Sequence, residues 1–217
     1  MHIGIIGSGR VGGTVGKLWA RAGHMVLFSS RRPERLAALI KEAGNGARAG
    51  TVAEAAAFGE VVLFAPPFDA TDEVLSEIGA GGGALDGKIL IDATNPYQQD
   101  LGGLTLPATT TAAEELQRKV PRARLVKAYN TLPAAVLADG AHRPAGQQYV
   151  LFYSGAEAAA KTIVAGLIAD SGFAPVNAGA LSDAYHQEPR GPLYGKRLTI
   201  EEAHALLRTL GIMTAGL

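Results

Sequence analysis

Short runs of apolar residues alternate along this chain with segments whose apolar positions recur every three or four residues. The runs are typical of buried β-strands, and the segments between them are typical of helices with one apolar face. Strands are predicted over residues 3–6, 25–28, 47–50, 60–65, 88–93 and 124–128. Helices are predicted over a segment that begins at residues 10–13 and over residues 33–43, 52–58, 69–78 and 111–118. This alternation predicts an α/β fold, with a doubly wound and mainly parallel sheet covered by helices on both faces.

The pattern changes after the sixth predicted strand. A stretch rich in proline and glycine, residues 132–146, leads to the next segments without a predicted element of its own. Further strands are predicted over residues 149–154 and 173–177, and helices over residues 156–171 and 199–209. We expect a small C-terminal extension that adds strands and a lid-like segment to the sheet. The sequence therefore divides into residues 1–146 and residues 147–217.

A glycine-rich turn follows the first predicted strand directly and leads into the first predicted helix. Its sequence is Gly7-Ser8-Gly9-Arg10-Val11-Gly12, a G-x-G-x-x-G pattern. Gly7 permits the tight turn, Gly9 lets the backbone approach a pyrophosphate, and Gly12 lets the helix pack closely on the sheet. The unpaired N–H groups at the positive end of that helix face the phosphates. A turn in this context predicts a Rossmann dinucleotide-binding domain over residues 1–146, rather than a structural turn without a ligand.

The end of the second strand distinguishes the two nicotinamide dinucleotides. An NAD site usually has Asp or Glu there, which accepts hydrogen bonds from the ribose 2′-OH. This chain has instead a hydroxyl and three guanidinium groups, on Ser30, Arg31, Arg32 and Arg35. Guanidinium groups form strong hydrogen bonds with a phosphate, so this cluster suits the 2′-phosphate. Basic residues at a helix N-terminus oppose the helix dipole, and a bound phosphate would explain why they stand there. The sequence therefore predicts NADP(H) as the cofactor, the alternative being a solvated basic start of a helix.

The composition excludes several other classes of protein. The 217 residues carry 20 basic and 20 acidic side chains and no cysteine. The balance of charge favours neither nucleic acid nor a membrane as a partner. The absence of cysteine excludes disulfides, thiolate metal sites and a cysteine nucleophile. No apolar stretch reaches the roughly 18 residues of a transmembrane helix, and no signal peptide precedes the first strand. We expect a cytoplasmic protein that acts on a small-molecule redox substrate.

Further candidate residues lie in the loops after the strands, because ligands of doubly wound sheets bind beyond the carboxyl ends of the strands. Ala65 and Pro66 follow the fourth strand, Asn95 follows the fifth, and Asn130 and Thr131 follow the sixth. Proline there fixes the loop shape, and small residues leave room for the cofactor. The polar side chains offer neutral hydrogen bonds beside the nicotinamide.

One pair of side chains in the C-terminal part is a candidate acid and base. His186 and Glu188 stand two residues apart, and the favoured alternative is that they belong to a surface loop. No metalloprotease, hydrolase or phosphate-loop motif occurs in the chain. Hydride transfer needs none, because the cofactor carries the chemistry and the protein supplies position and exclusion of water. We therefore predict no catalytic residue and no metal site.

The chain resembles the family of NADP-dependent oxidoreductases that act on the deazaflavin coenzyme F-420. The segments that carry the likeness are the glycine-rich turn, Ser29-Ser30-Arg31-Arg32, Ile91-Asp92-Ala93-Thr94-Asn95-Pro96, Val126-Lys127-Ala128-Tyr129-Asn130-Thr131, and Asn177-Ala178-Gly179-Ala180-Leu181 leading to Glu188-Pro189. The resemblance implies the Rossmann fold and NADP(H). It also implies a deazaflavin stacked over the nicotinamide, in a cleft closed by the C-terminal part, and a homodimer formed through that part.

The resemblance further implies roles for individual residues. The expected contacts of the pyrophosphate are Ser8, Gly9, Arg10 and Val11, those of the 2′-phosphate are Ser30, Arg31 and Arg35, and those of the ribose and nicotinamide are Pro66, Asn95 and Ala128. Direct hydride transfer between the two ring systems would need no acid or base from the protein.

Three functions follow as hypotheses. The first is an oxidoreductase that transfers hydride between NADP(H) and a deazaflavin or flavin-type acceptor. The second is an NADPH-dependent reductase of a small imine or carbonyl compound, although imine reductases carry a long helical C-terminal domain for which this chain is too short. The third is a non-catalytic NADP-binding sensor. An apolar cleft past Asn177, wide enough for a tricyclic ring, would favour the first hypothesis.

Overall fold

The computed structural model describes residues 1–44, 46–98 and 103–212. The strands within these residues are β1 His2–Ile6, β2 Met25–Ser29, β3 Arg48–Gly50, β4 Val61–Phe64, β5 Ile89–Asp92, β6 Arg124–Lys127, β7 Val150–Gly155 and β8 Ala174–Asn177. The α-helices within them are α1 Arg10–Arg21, α2 Ala37–Ala43, α3 Val52–Phe58, α4 Thr71–Ile78, α5 Ala112–Lys119, α6 Ala134–Asp139, α7 Ala158–Asp170 and α8 Ile200–Thr209. None of these described helices is both long enough and apolar enough to cross a membrane.

The strands form one sheet in the order β3-β2-β1-β4-β5-β6-β7-β8. β1 to β6 run parallel to one another, β7 is antiparallel to β6, and β8 is parallel to β7. The chain builds β2 and β3 on one side of β1 and then crosses to the other side with β4. The loops after β1 and β4 therefore diverge at a switch point, where doubly wound sheets bind their ligands. The predicted doubly wound, mainly parallel sheet is confirmed.

Both faces of the sheet are covered, which explains why the central strands are continuous apolar runs. Every residue of β4 is buried, and its side chains alternate between two cores. Val61 and Leu63 join the core built by α1, α2, α6 and α7. Val62 and Phe64 join the core built by α3, α4 and α5. A strand buried on both faces loses the alternation of apolar and polar residues that marks a solvent-facing sheet.

The C-terminal part continues the same sheet. β7 and β8 pair in parallel, with Val150 opposite Ala174 and Phe152 opposite Val176. A third apolar cluster, which includes Phe152, Val176, Leu193 and Leu207, packs α8 and the preceding loop against these strands. One 3-10 turn of this part, Leu181–Gln187, crosses back toward β6 and α5 and brings polar side chains to the carboxyl end of the sheet.

One helix lies where the sequence analysis predicts no element. α6 occupies the middle of the stretch of residues 132–146. Pro133 precedes its first residue and Gly140 follows its last, so the two residue types that indicate a loop are its boundaries. Val136 and Leu137 are buried against α1 and provide the apolar face that keeps so short a helix in place.

Candidate functional site

The glycine-rich turn has the geometry that its sequence requires. Gly7 has φ of 88°, in the left-handed region, and a Cβ there would lie 2.6 Å from the carbonyl carbon of Ala65. A Cβ on Gly12 would lie 2.2 Å from the carbonyl oxygen of Gly7. Both positions exclude a side chain, so β1, α1 and the end of β4 can approach one another closely.

Gly9 differs from its two neighbours because its missing side chain leaves open space. A Cβ on Gly9 would meet no atom of the described residues within 4 Å. Gly9 is the N-cap of α1, and no acidic side chain lies in the first turn of that helix. The N-terminal N–H groups of α1 therefore face an uncrowded space that suits an anion. Beside them the hydroxyl oxygen of Ser8 is buried without a hydrogen-bond partner in the described part of the chain.

This turn opens onto a cleft of about 670 Å³ along the carboxyl ends of β1, β2 and β4. The predicted site residues that line the cleft are Gly7, Ser8, Gly9, Ser30, Arg31, Ala65 and Pro66. The lining residues that sequence reasoning missed include Ser29, Leu36, Val52, Pro67, Asp69, Ala70, Glu73, Val74 and Glu77. Several of these lie in α4 and the turn before it. The topology supplied a signal for them, because the helix after β4 must flank a cleft that opens between β1 and β4.

The end of β2 presents hydroxyl and guanidinium groups to the cleft. The hydroxyl oxygen of Ser29 is buried without a partner in the described residues, and that of Ser30 accepts a hydrogen bond from the backbone N–H of Arg32 at 3.1 Å. The Arg31 side chain is 80% exposed, and its nitrogen lies 3.8 Å from a carboxylate oxygen of Glu73. A long, exposed ion pair of this kind contributes little and leaves Arg31 free to move toward an anion.

These features together fit a dinucleotide that carries a 2′-phosphate. Open space at Gly9 accommodates a pyrophosphate next to the N-terminus of α1. The hydroxyl groups of Ser8 and Ser29, which have no partner within the described ranges, are left to bond with a ligand. Ser30 and Arg31 stand at the end of β2, where a carboxylate would repel a phosphate.

The remaining predicted residues lie outside the lining of this cleft. Arg10 is exposed and Val11 is half-buried at the start of α1, and Arg32 and Arg35 are exposed beyond the end of β2. Ala128 is fully buried after β6. Asn95 is half-buried after β5, further along the same edge of the sheet.

A buried ionic cluster lies where β5 and β6 end. The ammonium nitrogen of Lys127 lies 2.9 Å from Oδ2 of Asp92 and 3.2 Å from Oε1 of Glu188, and it donates to the carbonyl oxygen of Thr94 at 2.6 Å. The carboxylate of Glu188 also accepts hydrogen bonds from the backbone N–H groups of Ala112 and Ala113, at the N-terminus of α5. Burial alone would lower the pKa of Lys127, but the carboxylates of Asp92 and Glu188 raise it. The lysine is therefore charged, and its ammonium group lies within reach of both carboxylates.

The structure does not support an acid–base pair of His186 and Glu188, and Glu188 does not lie in a surface loop. Glu188 is buried and bonded to α5 and Lys127. His186 stacks on Tyr185, with ring centroids 3.8 Å apart, and its Nδ1 is buried without a partner among the described residues. Burial lowers the pKa of His186, which the carboxylate of Asp183 partly offsets. The imidazole is therefore neutral near pH 7.

A second, smaller cleft lies past Asn177, between the loop after β5 and the 3-10 turn. It has a volume of about 190 Å³. Its lining combines the apolar residues Pro96, Leu104, Leu106, Ala108 and Pro189 with the polar residues Thr110, Thr111, Tyr185, Glu188 and Arg190. Small-molecule sites usually measure about 300–1,000 Å³. Most of the surface of this cleft is apolar, as a site for a ring system would be, but its volume is below that range.

The fold and the larger cleft define a dinucleotide-binding protein of the Rossmann class. The family model described as NADP oxidoreductase coenzyme F420-dependent matches residues 2–96. A proposed F-420-dependent NADP reductase from Arthrobacter sp. FB24 is 30% identical to this chain, with a TM-score of 0.75, and the likeness covers 97% of this chain and 95% of that protein. This chain belongs to that family of NADP-dependent oxidoreductases.

Two further proteins are similar over most of this chain. A hypothetical protein from Sinorhizobium meliloti is 29% identical with a TM-score of 0.82, and the likeness covers 92% of this chain and 95% of that protein. The metalloreductase STEAP3 of Rattus norvegicus is 30% identical over 186 residues, which are 86% of this chain and 35% of the relative. The chain thus spans about a third of the length of that metalloreductase.

Proposed function

We propose that this protein binds NADP(H) in the larger cleft and transfers hydride between it and a deazaflavin or flavin-type acceptor. The observation that carries the proposal is the make-up of one cleft. Gly9, with open space beside it, and the polar residues Ser30 and Arg31 all line the same cleft of about 670 Å³. A pyrophosphate and a 2′-phosphate of one dinucleotide could therefore be bound together.

Different residues of the chain would bind different parts of the cofactor. The N–H groups at the start of α1 would hold the pyrophosphate, and Ser30 and Arg31 the 2′-phosphate. A bound NADPH would supply a hydride from its nicotinamide ring. That half of the cofactor would extend past Pro66 toward the loop after β5, where Asn95 offers a neutral hydrogen bond. The protein thereby fixes the position of the ring and keeps water from it.

The acidic groups near this edge support a transfer without a protein acid. Asp92 and Glu188 are both buried and paired with the ammonium group of Lys127, so both side chains are committed to this contact. Tyr194 donates no proton readily, since burial and its hydrogen bond with Tyr97 raise its pKa above the usual value. Hydride transfer between two planar ring systems needs no such donor.

A second candidate function is the reduction of a small imine or carbonyl compound. The size of the second cleft favours it, because about 190 Å³ suits a small substrate better than a tricyclic ring. The hydroxyl groups of Tyr97 and Tyr194, 3.4 Å apart in the adjoining loops, could hold a polar substrate atom by hydrogen bonds.

An acceptor screen tests both functions. NADPH binding to the purified protein is first measured by fluorescence titration, and its oxidation is then followed by absorbance with coenzyme F-420, FMN, a ferric chelate or a small cyclic imine. We expect reduction of the deazaflavin and a strong preference for NADPH over NADH. Reduction of the imine alone would favour the second candidate. Binding of NADPH without reduction of any acceptor would contradict both and indicate a binding protein.

A further inference from the structure

Three side-chain amides form a continuous chain of hydrogen bonds from the C-terminal part of the protein to the end of β5. Gln187 lies in the 3-10 turn, Asn130 in the loop after β6, and Asn95 in the loop after β5. Gln187 and Asn130 are buried, whereas Asn95 is half-buried. The chain of amides therefore ends at the one member that is open to the surface of the sheet edge.

The orientation of the first amide is fixed by its surroundings. Nε2 of Gln187 donates to the carbonyl oxygen of Lys127 and to Oδ1 of Asn130, both at 3.1 Å. Oε1 of Gln187 accepts a hydrogen bond from the hydroxyl of Ser154 at 2.9 Å. Reversing the amide would place its oxygen against the carbonyl oxygen of Lys127 and leave a buried acceptor without a donor. Both hydrogens of Nε2 are therefore committed.

The orientation of Gln187 determines the orientations of the other two amides. Because Oδ1 of Asn130 accepts from Gln187, its Nδ2 must point the other way, and it donates to the carbonyl oxygen of Gln187 at 2.7 Å and to Oδ1 of Asn95 at 3.0 Å. Nδ2 of Asn95 then donates one hydrogen to the carbonyl oxygen of Asn130 at 2.9 Å. A primary amide has two such hydrogens. Within the part of the chain that the structure describes, the second one of Asn95 is not used.

We infer that the Nδ2–H of Asn95 donates a hydrogen bond to the carboxamide oxygen of the nicotinamide, and that Gln187 is the positioning residue that fixes Asn95 in this orientation. The inference rests on the proposed function, which extends the nicotinamide from the switch point toward the loop after β5. A fixed donor selects a carbonyl oxygen and rejects a group that can only donate. The C-terminal part would thereby orient the reacting ring through two intervening amides, without touching it.

Cofactor analogues test this polarity. Dissociation constants are measured by fluorescence titration for NADPH, for its thionicotinamide analogue, in which sulfur replaces the carboxamide oxygen, and for its acetylpyridine analogue, in which methyl replaces the amide nitrogen. We expect wild-type protein to bind NADPH about threefold to tenfold more tightly than the thio analogue, the range of one neutral hydrogen bond. Asn95→Ala should bring the ratio of the dissociation constants of the thio analogue and NADPH close to one. The corresponding ratio for the acetylpyridine analogue should not change.

Gln187→Met tests the positioning role, because methionine keeps the length of the side chain and removes both donors. This variant should lower the preference for NADPH over the thio analogue as Asn95→Ala does, although Asn130 and Asn95 separate Gln187 from the nicotinamide. The matched control is Thr94→Ala, which removes a buried hydrogen bond to Asp92 outside the chain of amides and should keep the wild-type ratio. Should Gln187→Met not fold, Asn95→Ala still decides the donor role of Asn95. Ser154→Ala, which removes the hydroxyl that fixes Oε1 of Gln187, then tests the positioning role by the same ratio of dissociation constants.

The outcomes separate this inference from the proposed function. Tight binding of NADPH with a thio ratio that Asn95→Ala does not change would overturn the inference and leave the function standing. A change in the acetylpyridine ratio instead would mean that Oδ1 of Asn95 accepts from the carboxamide nitrogen, which also overturns it. A protein that does not bind NADPH would overturn both.

Discussion

The ammonium nitrogen of Lys127 lies 2.9 Å from Oδ2 of Asp92, and neither side chain has any solvent-exposed surface. The two residues are direct neighbours in the register of β5 and β6. Glu188 joins them from the C-terminal part, and two N–H groups at the N-terminus of α5 share its charge. The cluster therefore links four elements at the edge where the ligand clefts open, and its integrity sets the position of the 3-10 turn.

Replacing Lys127 by Met should destabilise the protein strongly, because it leaves two buried carboxylates without their cation. Breaking a buried ion pair by removing one partner costs about 3–5 kcal/mol. The free energy of unfolding from urea titration measures the effect. The matched control is Lys119→Met, whose exposed partner Asp72 lies on the surface, and it should cost no more than about 1 kcal/mol. Equal losses in the two variants would contradict a structural role for the buried cluster.

The sequence allowed the sheet to be predicted because its strands are buried on both faces. Runs such as Val61–Phe64, flanked by helical patterns, are typical of strands at the centre of a covered sheet. The glycine-rich turn could be located for a related reason, since Gly7 and Gly12 stand where any side chain would collide with backbone. These signals are local, and a single sequence contains them.

The polar cluster could not be predicted in the same way. Glu188 and Gln187 reach Lys127 and Asn130 only because the 3-10 turn Leu181–Gln187 crosses back over the sheet. A 3-10 turn carries no apolar periodicity of its own, and pairing between residues far apart in sequence depends on the finished fold. Glu188 consequently had the sequence pattern of a loop residue while it is buried in the structure.

Two alanine substitutions in the glycine-rich turn should separate binding from folding. Gly9→Ala places a methyl group in open space, so the free energy of unfolding should change by no more than about 1 kcal/mol. The same methyl group would obstruct a pyrophosphate, and we expect NADPH to bind roughly tenfold or more weakly.

Gly12→Ala, in contrast, should mainly lower the free energy of unfolding. Its Cβ would lie 2.2 Å from the backbone oxygen of Gly7, which forces the turn and α1 apart. Such overpacking costs about 1–3 kcal/mol. Thermal unfolding and fluorescence titration of both variants provide the comparison. A Gly9→Ala protein that binds NADPH like the wild type would contradict the placement of the pyrophosphate at this turn.

Arg31→Ala should weaken the binding of NADPH about tenfold or more and leave the binding of NADH nearly unchanged. Only NADPH carries the 2′-phosphate, and a hydrogen bond to a charged group contributes about 1.5–3 kcal/mol. Among the described residues, Arg31 pairs with the carboxylate of Glu73 at 3.8 Å, a contact weak enough for the guanidinium group to turn toward a phosphate at little cost. Isothermal titration calorimetry with both cofactors measures the selectivity.

The control for Arg31 is Arg122→Ala, which removes a similarly exposed guanidinium group at the amino end of β6, remote from the cleft. It should change neither affinity. Equal losses for NADPH and NADH in Arg31→Ala would reject the 2′-phosphate role, and they would assign Arg31 to a part that the two cofactors share.

The stability of the protein should depend on pH through His186. Burial lowers the pKa of this imidazole, and the carboxylate of Asp183 raises it by less. In the unfolded chain a histidine titrates near pH 6.5. Between the lowered pKa and about pH 6.5 the unfolded state therefore binds more protons than the folded state. Linkage then requires the free energy of unfolding to fall as the pH falls through this interval.

His186→Gln should remove this component, so the melting temperature of the variant should change less than that of the wild type between about pH 7.5 and 5. Asp183→Asn should have the reverse effect and extend the loss of stability to lower pH, because it removes the carboxylate that favours the protonated ring. Thermal unfolding of the three proteins in matched buffers provides the measurement. Parallel curves for wild type and His186→Gln would show that protonation of this residue does not oppose folding.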